Sequence, residues 1–238
     1  MKTRPLSEQT ALITGGATGI GRSFAEGLLE AGLCSIVIAS RRREMLDKAA
    51  AEMNSEFGDC VTPYAFDIRD RGQTEALVRF TEDRFGPVDI LVNNSGLAVP
   101  ETVTEISADG WDKVLETNLR GAMWLTQLVM PKMLEQDYGD IVNVSSQAGK
   151  NGYADVPSYC ASKFGLLGFA ESVRDDVRKR SANIRVFNFC PGLVDVDSPL
   201  DQQPKPGFIH VRNMAKTLTY ALALDRNVNL EDINIYAR

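Results

Sequence analysis

Short apolar runs alternate with amphipathic stretches along the whole chain. Seven runs read as buried strands: Thr10–Thr14, Ser35–Ser40, Val61–Phe66, Val88–Val92, Asp140–Val144, Ile184–Phe189 and Asp232–Tyr236. Between them lie stretches with helical spacing, over about Arg22–Ala31, Glu44–Phe57 and Gly72–Phe85. Trp111–Pro131 predicts one or two further helices, Pro157-Ser158 opens another, and Asn213–Leu224 forms the last. Strands and helices in strict alternation predict an α/β fold, a doubly wound, seven-stranded parallel sheet flanked by helices.

Composition narrows the class. At 238 residues the chain is expected to form one domain rather than two, with no linker, repeat or low-complexity tract. The formal net charge of −6 offers no basic stripe for nucleic acid. No run reaches membrane-spanning length, and Met1-Lys2-Thr3-Arg4-Pro5 leads into a strand rather than a signal segment. Cys34, Cys60, Cys160 and Cys190 are far apart in apolar contexts, which suggests reduced thiols and a cytoplasmic protein. The one histidine, His210, is expected on the surface and far from any triad, and no metal site is expected.

The ends of the strands carry the chemistry. After the first comes Gly15-Gly16-Ala17-Thr18-Gly19-Ile20-Gly21, and then a helix that Gly32 terminates. Small residues there let backbone approach a phosphate, and the helix N-terminus supplies N–H groups and a positive dipole. Dinucleotide folds that take NAD place an acidic residue at the end of the second strand, to hold the ribose 2′-hydroxyl. Ser40-Arg41-Arg42-Arg43 stands here instead, so a 2′-phosphate is the natural guest, with Arg43 on a solvated face.

Asp67-Ile68 follows the third strand, where the carboxylate either meets an adenine amino group or caps the next helix. Asn93-Asn94-Ser95-Gly96 follows the fourth, placed for ligand contacts or for tying its loop to neighbouring backbone. The fifth strand ends in Ser145-Ser146, and the next helix opens with Tyr159 and Lys163 one turn apart on the same face. An ammonium beside a phenol favours the phenolate and draws its pKa toward working pH. A Tyr-x-x-x-Lys spacing alone is common; its neighbours give it weight.

Together these residues resemble the short-chain dehydrogenase/reductase family over essentially the whole chain. Thr14-Gly15-x-x-x-Gly19-x-Gly21 is similar to its cofactor turn, Asn93-Asn94-Ser95-Gly96 to Asn-Asn-Ala-Gly, Tyr159-Cys160-Ala161-Ser162-Lys163 to Tyr-x-Ala-Ser-Lys, and Pro191-Gly192 to the pair after the sixth strand. The resemblance implies a Rossmann fold, with a cofactor half over about 1–140 and a catalytic and substrate half over about 141–238. It implies catalytic roles for Asn118, Ser146, Tyr159 and Lys163, and selects Ser146 over Ser145 by its distance from the tyrosine. Tyr159 would be general acid and base, Lys163 would lower its pKa and bond the nicotinamide ribose, and Asn118 would hold a relay water.

NADP(H) is the implied cofactor. Gly15, Thr18, Gly19, Ile20 and Gly21 would wrap its pyrophosphate, and Ser40, Arg41 and Arg42 its 2′-phosphate side. Asp67, Ile68, Asn94, Ser95, Gly96, Pro191, Gly192 and Val194 complete the expected contacts. Ser146, Gln147, Tyr153, Tyr159 and Leu193 are expected to meet a small carbonyl or secondary-alcohol substrate, with Asn151, Asp155 and the Asp197–Phe208 loop shaping the pocket. The alternative is an NADP(H)-sensing regulator on the same fold; an epimerase or dehydratase is disfavoured by the short C-terminal part. Pairing into a homodimer or homotetramer is expected through helices around Ala108–Glu135 and Pro157–Arg180. Val196 replaces a frequent Thr that binds the nicotinamide carboxamide, leaving Ser198 or backbone to substitute. The chain's end resembles a branch of small hydroxy-acid and serine dehydrogenases.

Overall fold

A computed structural model describes residues 4–198 and 202–238. Its seven-stranded sheet is entirely parallel, in the order β3-β2-β1-β4-β5-β6-β9. The strands are β1 (Ala11–Thr14), β2 (Ile36–Ser40), β3 (Val61–Ala65), β4 (Ile90–Asn93), β5 (Gly139–Val144), β6 (Ile184–Pro191) and β9 (Asp232–Ile235). A small ribbon of β7 (Val194–Asp195) and β8 (Ile209–His210) was not expected; two-residue strands leave too little alternation to read.

The helices are α1 (Gly19–Glu30), α2 (Arg43–Phe57), α3 (Arg71–Phe85), α4 (Ala108–Leu115), α5 (Gly121–Gln136), α6 (Pro157–Lys179) and α7 (Val211–Ala223). Both faces of the sheet are covered, which explains why the strands read as unbroken apolar runs. One core layer packs Phe24 and Leu28 of α1 and Met214 and Leu218 of α7 against Ile13, Ile38 and Phe189. The other packs Leu77, Leu125, Val129 and Ala170 against Leu12, Val37, Leu91 and Val186.

The one or two helices expected over Trp111–Pro131 are two, and they reach further at both ends, from Ala108 to Gln136. A π-helical turn, Glu116–Arg120, sits between α4 and α5, and Pro131 lies inside α5. Such turns within α-helices concentrate at functional sites. The expected helix start at Arg22 is also too late, because α1 already begins at Gly19, inside the glycine turn.

Across the sheet runs a buried ladder of amides in register. Asn93 pairs with Asn143, Asn143 with Asn188, and Asn188 with Asp232. The side chains bond in sequence at 3.0, 3.2 and 2.9 Å, and Asp232 then meets Lys150 at 3.0 Å and Arg174 at 3.2 Å. Linked in this way, the buried amides fix the register of four strands, with Asn93 Oδ1 at the end of the ladder left unpaired.

Candidate active site

The strand order reverses direction between β1 and β4, and open α/β sheets bind ligands in the crevice that this creates. Both sides of the crevice are tied together. Thr14 Oγ1 accepts from the backbone N–H of Asn94 and of Ser95, each at 3.0 Å. The Asn94 amide donates to the carbonyls of Thr14 at 2.9 Å and Gly15 at 3.3 Å. Of the two readings open for Asn94, its side chain takes the loop-tying one while the residue itself lines the cleft.

Gly15 and Gly19 hold φ values of +66° and +57°, where a Cβ is strained. A Cβ on Gly21 would stand 2.4 Å from both Asn94 Nδ2 and Gly15 O. The Thr18 side chain makes no capping hydrogen bond to α1, so the first amides of the helix are left for an anion at the cleft. Ser40 and the exposed Arg41 and Arg42 line the same cleft, with Phe66, Ile68, Ser95 and Gly96. Arg43 instead pairs with Asp47 at 2.8 Å on the surface, as expected. This donor set fits a dinucleotide: a glycine cradle at a helix N-terminus, then guanidinium groups near the end of β2.

Asp67 is not among the residues lining this cleft. Its carboxylate accepts from the Arg69 side chain at 2.7 Å, and that partner holds it below the usual carboxylate range. Nor does it cap α3, a role that Asp70 fills by accepting from Gln73 N at 3.0 Å. Of the two readings open for Asp67, helix capping thus falls to Asp70.

A second cavity, about 770 Å³, adjoins the first through Asn94, Gly96 and Leu97. Its walls bring together Ser146, Gln147, Tyr153, Tyr159, Lys163, Pro191, Gly192, Leu193 and Val194. Asn151 and Asp155 are exposed and outside this lining. Pro157 begins α6 at a position where its fixed φ suits a helix, and that start aims Tyr159 and Lys163 at the cavity. Ser145 is buried and bonds the Lys163 carbonyl at 3.3 Å, whereas Ser146 is half-buried on the wall. The geometry thus favours Ser146 as the accessible hydroxyl.

Lys163 is 4% exposed, and its Nζ donates to Val144 O at 2.7 Å. Burial pushes the ammonium down to about 8. The ammonium stands 5.6 Å from the centre of the Tyr159 ring. Burial pushes the phenol up, with the Ser146 hydroxyl opposing it. Desolvation thus sets the direction of the phenol's shift, opposite to the lowering expected from its lysine.

Asn118 sits in the π-helical turn and is pinned from three sides. Its Nδ2 donates to Leu97 O at 2.8 Å and to Ser162 Oγ at 3.0 Å, and its Oδ1 accepts from Leu97 N at 2.9 Å. These three bonds fix the orientation of the side chain. Ser162, the third motif serine, was missed because its partner lies 44 residues away.

The chain belongs to the short-chain dehydrogenase family. A model of that family, short chain dehydrogenase, matches residues 9–205. The ketoacyl reductase HetN of Nostoc sp. is 32% identical over 222 residues, 91% of this chain and 76% of the relative. Among solved structures, the actinorhodin polyketide ketoreductase with NADPH is 28% identical with a TM-score of 0.86, covering 98% of this chain and 97% of that one. Serine dehydrogenase from Escherichia coli is 26% identical with a TM-score of 0.82, covering 96% and 98%. Short-chain dehydrogenases are oxidoreductases, and this chain is one by family.

His210 and the lid depart from expectation. His210 is buried rather than exposed, and its Nδ1 accepts from Arg212 N at 3.1 Å to cap α7. Asp195, at the end of β7, gathers the hydrogen bonds of the chain around it. It accepts from Ser198 Oγ at 2.7 Å, Lys205 N at 2.8 Å, and the backbone N–H of Asp197 and Ser198 at 3.2 Å each. These bonds hold its carboxyl far below the usual range, the Lys205 amide most of all. The Ser198 proton is thus spent on Asp195 rather than offered to a carboxamide. Pro199, Leu200 and Asp201 of the expected lid lie outside the described residues.

Proposed function

We propose that this short-chain dehydrogenase is an NADP(H)-dependent oxidoreductase that interconverts a small carbonyl compound and its secondary alcohol. One observation carries the reading: Ser146, Tyr159 and Lys163 share a cavity that opens into a cleft suited to a dinucleotide. When bound, the cofactor supplies the hydride that Tyr and Ser side chains cannot. Ser146 Oγ holds the substrate oxygen, and Tyr159 Oη gives that oxygen its proton in reduction and takes it back in oxidation. Lys163, with an ammonium close to neutrality, fixes the dinucleotide ribose and exchanges protons with the phenol. Asn118 anchors the relay behind it. The test is a 340 nm screen with NADPH across aldehydes, ketones and keto esters; NADPH binding without turnover anywhere on the panel would sink it.

The choice of NADP(H) rests on Arg41 and Arg42 and on the missing acidic residue at Ser40. Arg41→Ala should weaken NADPH binding by roughly tenfold or more, the worth of a charge-assisted hydrogen bond. NADH binding should stay unchanged. Fluorescence titration with both nucleotides reads the difference, and equal losses would leave the arginines as a solvated face.

Pairing of copies through α5 and α6 belongs to the same reading. An apolar groove there is lined by Met123, Trp124, Met130, Phe169 and Val173. Sedimentation equilibrium should give a dimer or tetramer, and Phe169→Glu should shift it toward monomer; a wild-type monomer at micromolar concentration would refute the pairing.

A further inference from the structure

We infer that the substrate cavity selects an uncharged carbonyl compound with an apolar body and turns away carboxylates and amino acids. This rests on the oxidoreductase reading and narrows it. The cavity walls are built from Leu97, Val144, Val156, Leu193 and Val196, with Gln147 as a neutral hydrogen-bonding group. The Gln147 carbonyl accepts from Tyr153 Oη at 3.2 Å, so amide and phenol form one uncharged polar edge.

Among the described residues lining the cavity, Lys163 alone carries a charge. It is 4% exposed with one N–H on Val144 O, and its other N–H groups are the ones the oxidoreductase reading assigns to the dinucleotide ribose and the phenol, so none is left to clamp a carboxylate. Two further lysines, outside the lining, are engaged elsewhere. Lys205 pairs with Asp197 at 3.3 Å, and Lys150 pairs with Asp232 at 3.0 Å.

A substrate carboxylate would therefore leave water for a neutral wall, with no free cation among the described lining residues to receive it. An ammonium fares no better, since no carboxylate is among the described residues lining the cavity. Exclusion of this kind gives specificity by penalising the wrong ligand. It separates the chain from the hydroxy-acid and serine dehydrogenases that its C-terminal end resembles.

The experiment compares ethyl acetoacetate with acetoacetate in reduction by NADPH, and tests serine in oxidation with NADP. The ester should be favoured by at least about tenfold in kcat/KM, and serine should give no turnover. Leu193 is 64% exposed on the cavity edge, so Leu193→Arg should fold and should narrow the ester-to-acid ratio by about tenfold. Comparable use of acetoacetate, or turnover of serine, by the wild-type protein would overturn the inference while leaving the oxidoreductase reading intact. Absence of turnover on every neutral carbonyl, with NADPH still bound, would overturn that reading and this inference with it.

Discussion

Tyr159→Phe is expected to lower carbonyl reduction by about a thousandfold while NADPH affinity changes little, since positioned acid–base groups contribute at that scale. The substitution removes one oxygen and keeps the ring that Lys163 faces at 5.6 Å. Ser146 would still hold the substrate oxygen, so KM should move less than kcat. The pH dependence follows from the direction of the phenol's shift. Burial holds Tyr159 protonated above its ordinary range, and reduction consumes that protonated form. Reduction should therefore persist through neutral pH, whereas alcohol oxidation, which needs the phenolate, should climb as pH rises. Steady-state rates in both directions, with nucleotide binding measured beside them, check the prediction. A variant retaining a tenth of the wild-type rate would remove Tyr159 from the chemistry.

Why these residues meet was readable from local signals. A glycine turn between a strand and a helix has few other uses, and Pro157 marks the start of α6 closely enough to put Tyr159 and Lys163 on one face. Parallel strands with two covered faces announce themselves as apolar runs. Partners distant in the chain were harder. For Asn93 both ligand contact and loop-tying were open, yet it is 4% exposed and bonds Asn143 at 3.0 Å on the adjacent strand. Only the register shows that its neighbours in space are also amides.

His210 and Asp195 were misjudged or missed for a related reason. A lone histidine or aspartate in a polar stretch reads as solvated, until a helix start at Val211 or a returning loop at Lys205 supplies its bonds. Desolvation of Tyr159 is equally invisible in sequence. Adjacency to a lysine shows in the spacing, but the depth at which the pair is buried does not, and depth decides the sign of the shift.

Asp140→Ala should be the most destabilising single change in the sheet. The apolar run Asp140–Val144 gave no hint that its first residue is an ionic hub. Asp140 is 1% exposed and accepts from Arg185 Nε at 2.8 Å and from Arg226 Nη1 at 2.7 Å. Both guanidinium groups are buried as well. Arg185 also donates to the carbonyls of Leu222 at 3.1 Å and Leu224 at 3.0 Å, closing the C-terminal end of α7. Arg226 donates to Gly139 O and Asn183 O and lies 4.3 Å over the Tyr138 ring. Without the carboxylate, two buried positive charges are left with carbonyl oxygens and the Tyr138 and Phe187 rings around them. Breaking a buried pair in this way costs about 3–5 kcal/mol. For a domain of this size the melting temperature should fall by roughly 10 °C or more. Adding Arg226→Leu to Asp140→Ala should recover part of the loss by removing one stranded charge, a sign that only charge burial predicts. Thermal melts at fixed protein concentration decide it. A shift under about 3 °C for the single variant, or an additive loss in the double, would show that the cluster is solvated and the ion pairs incidental.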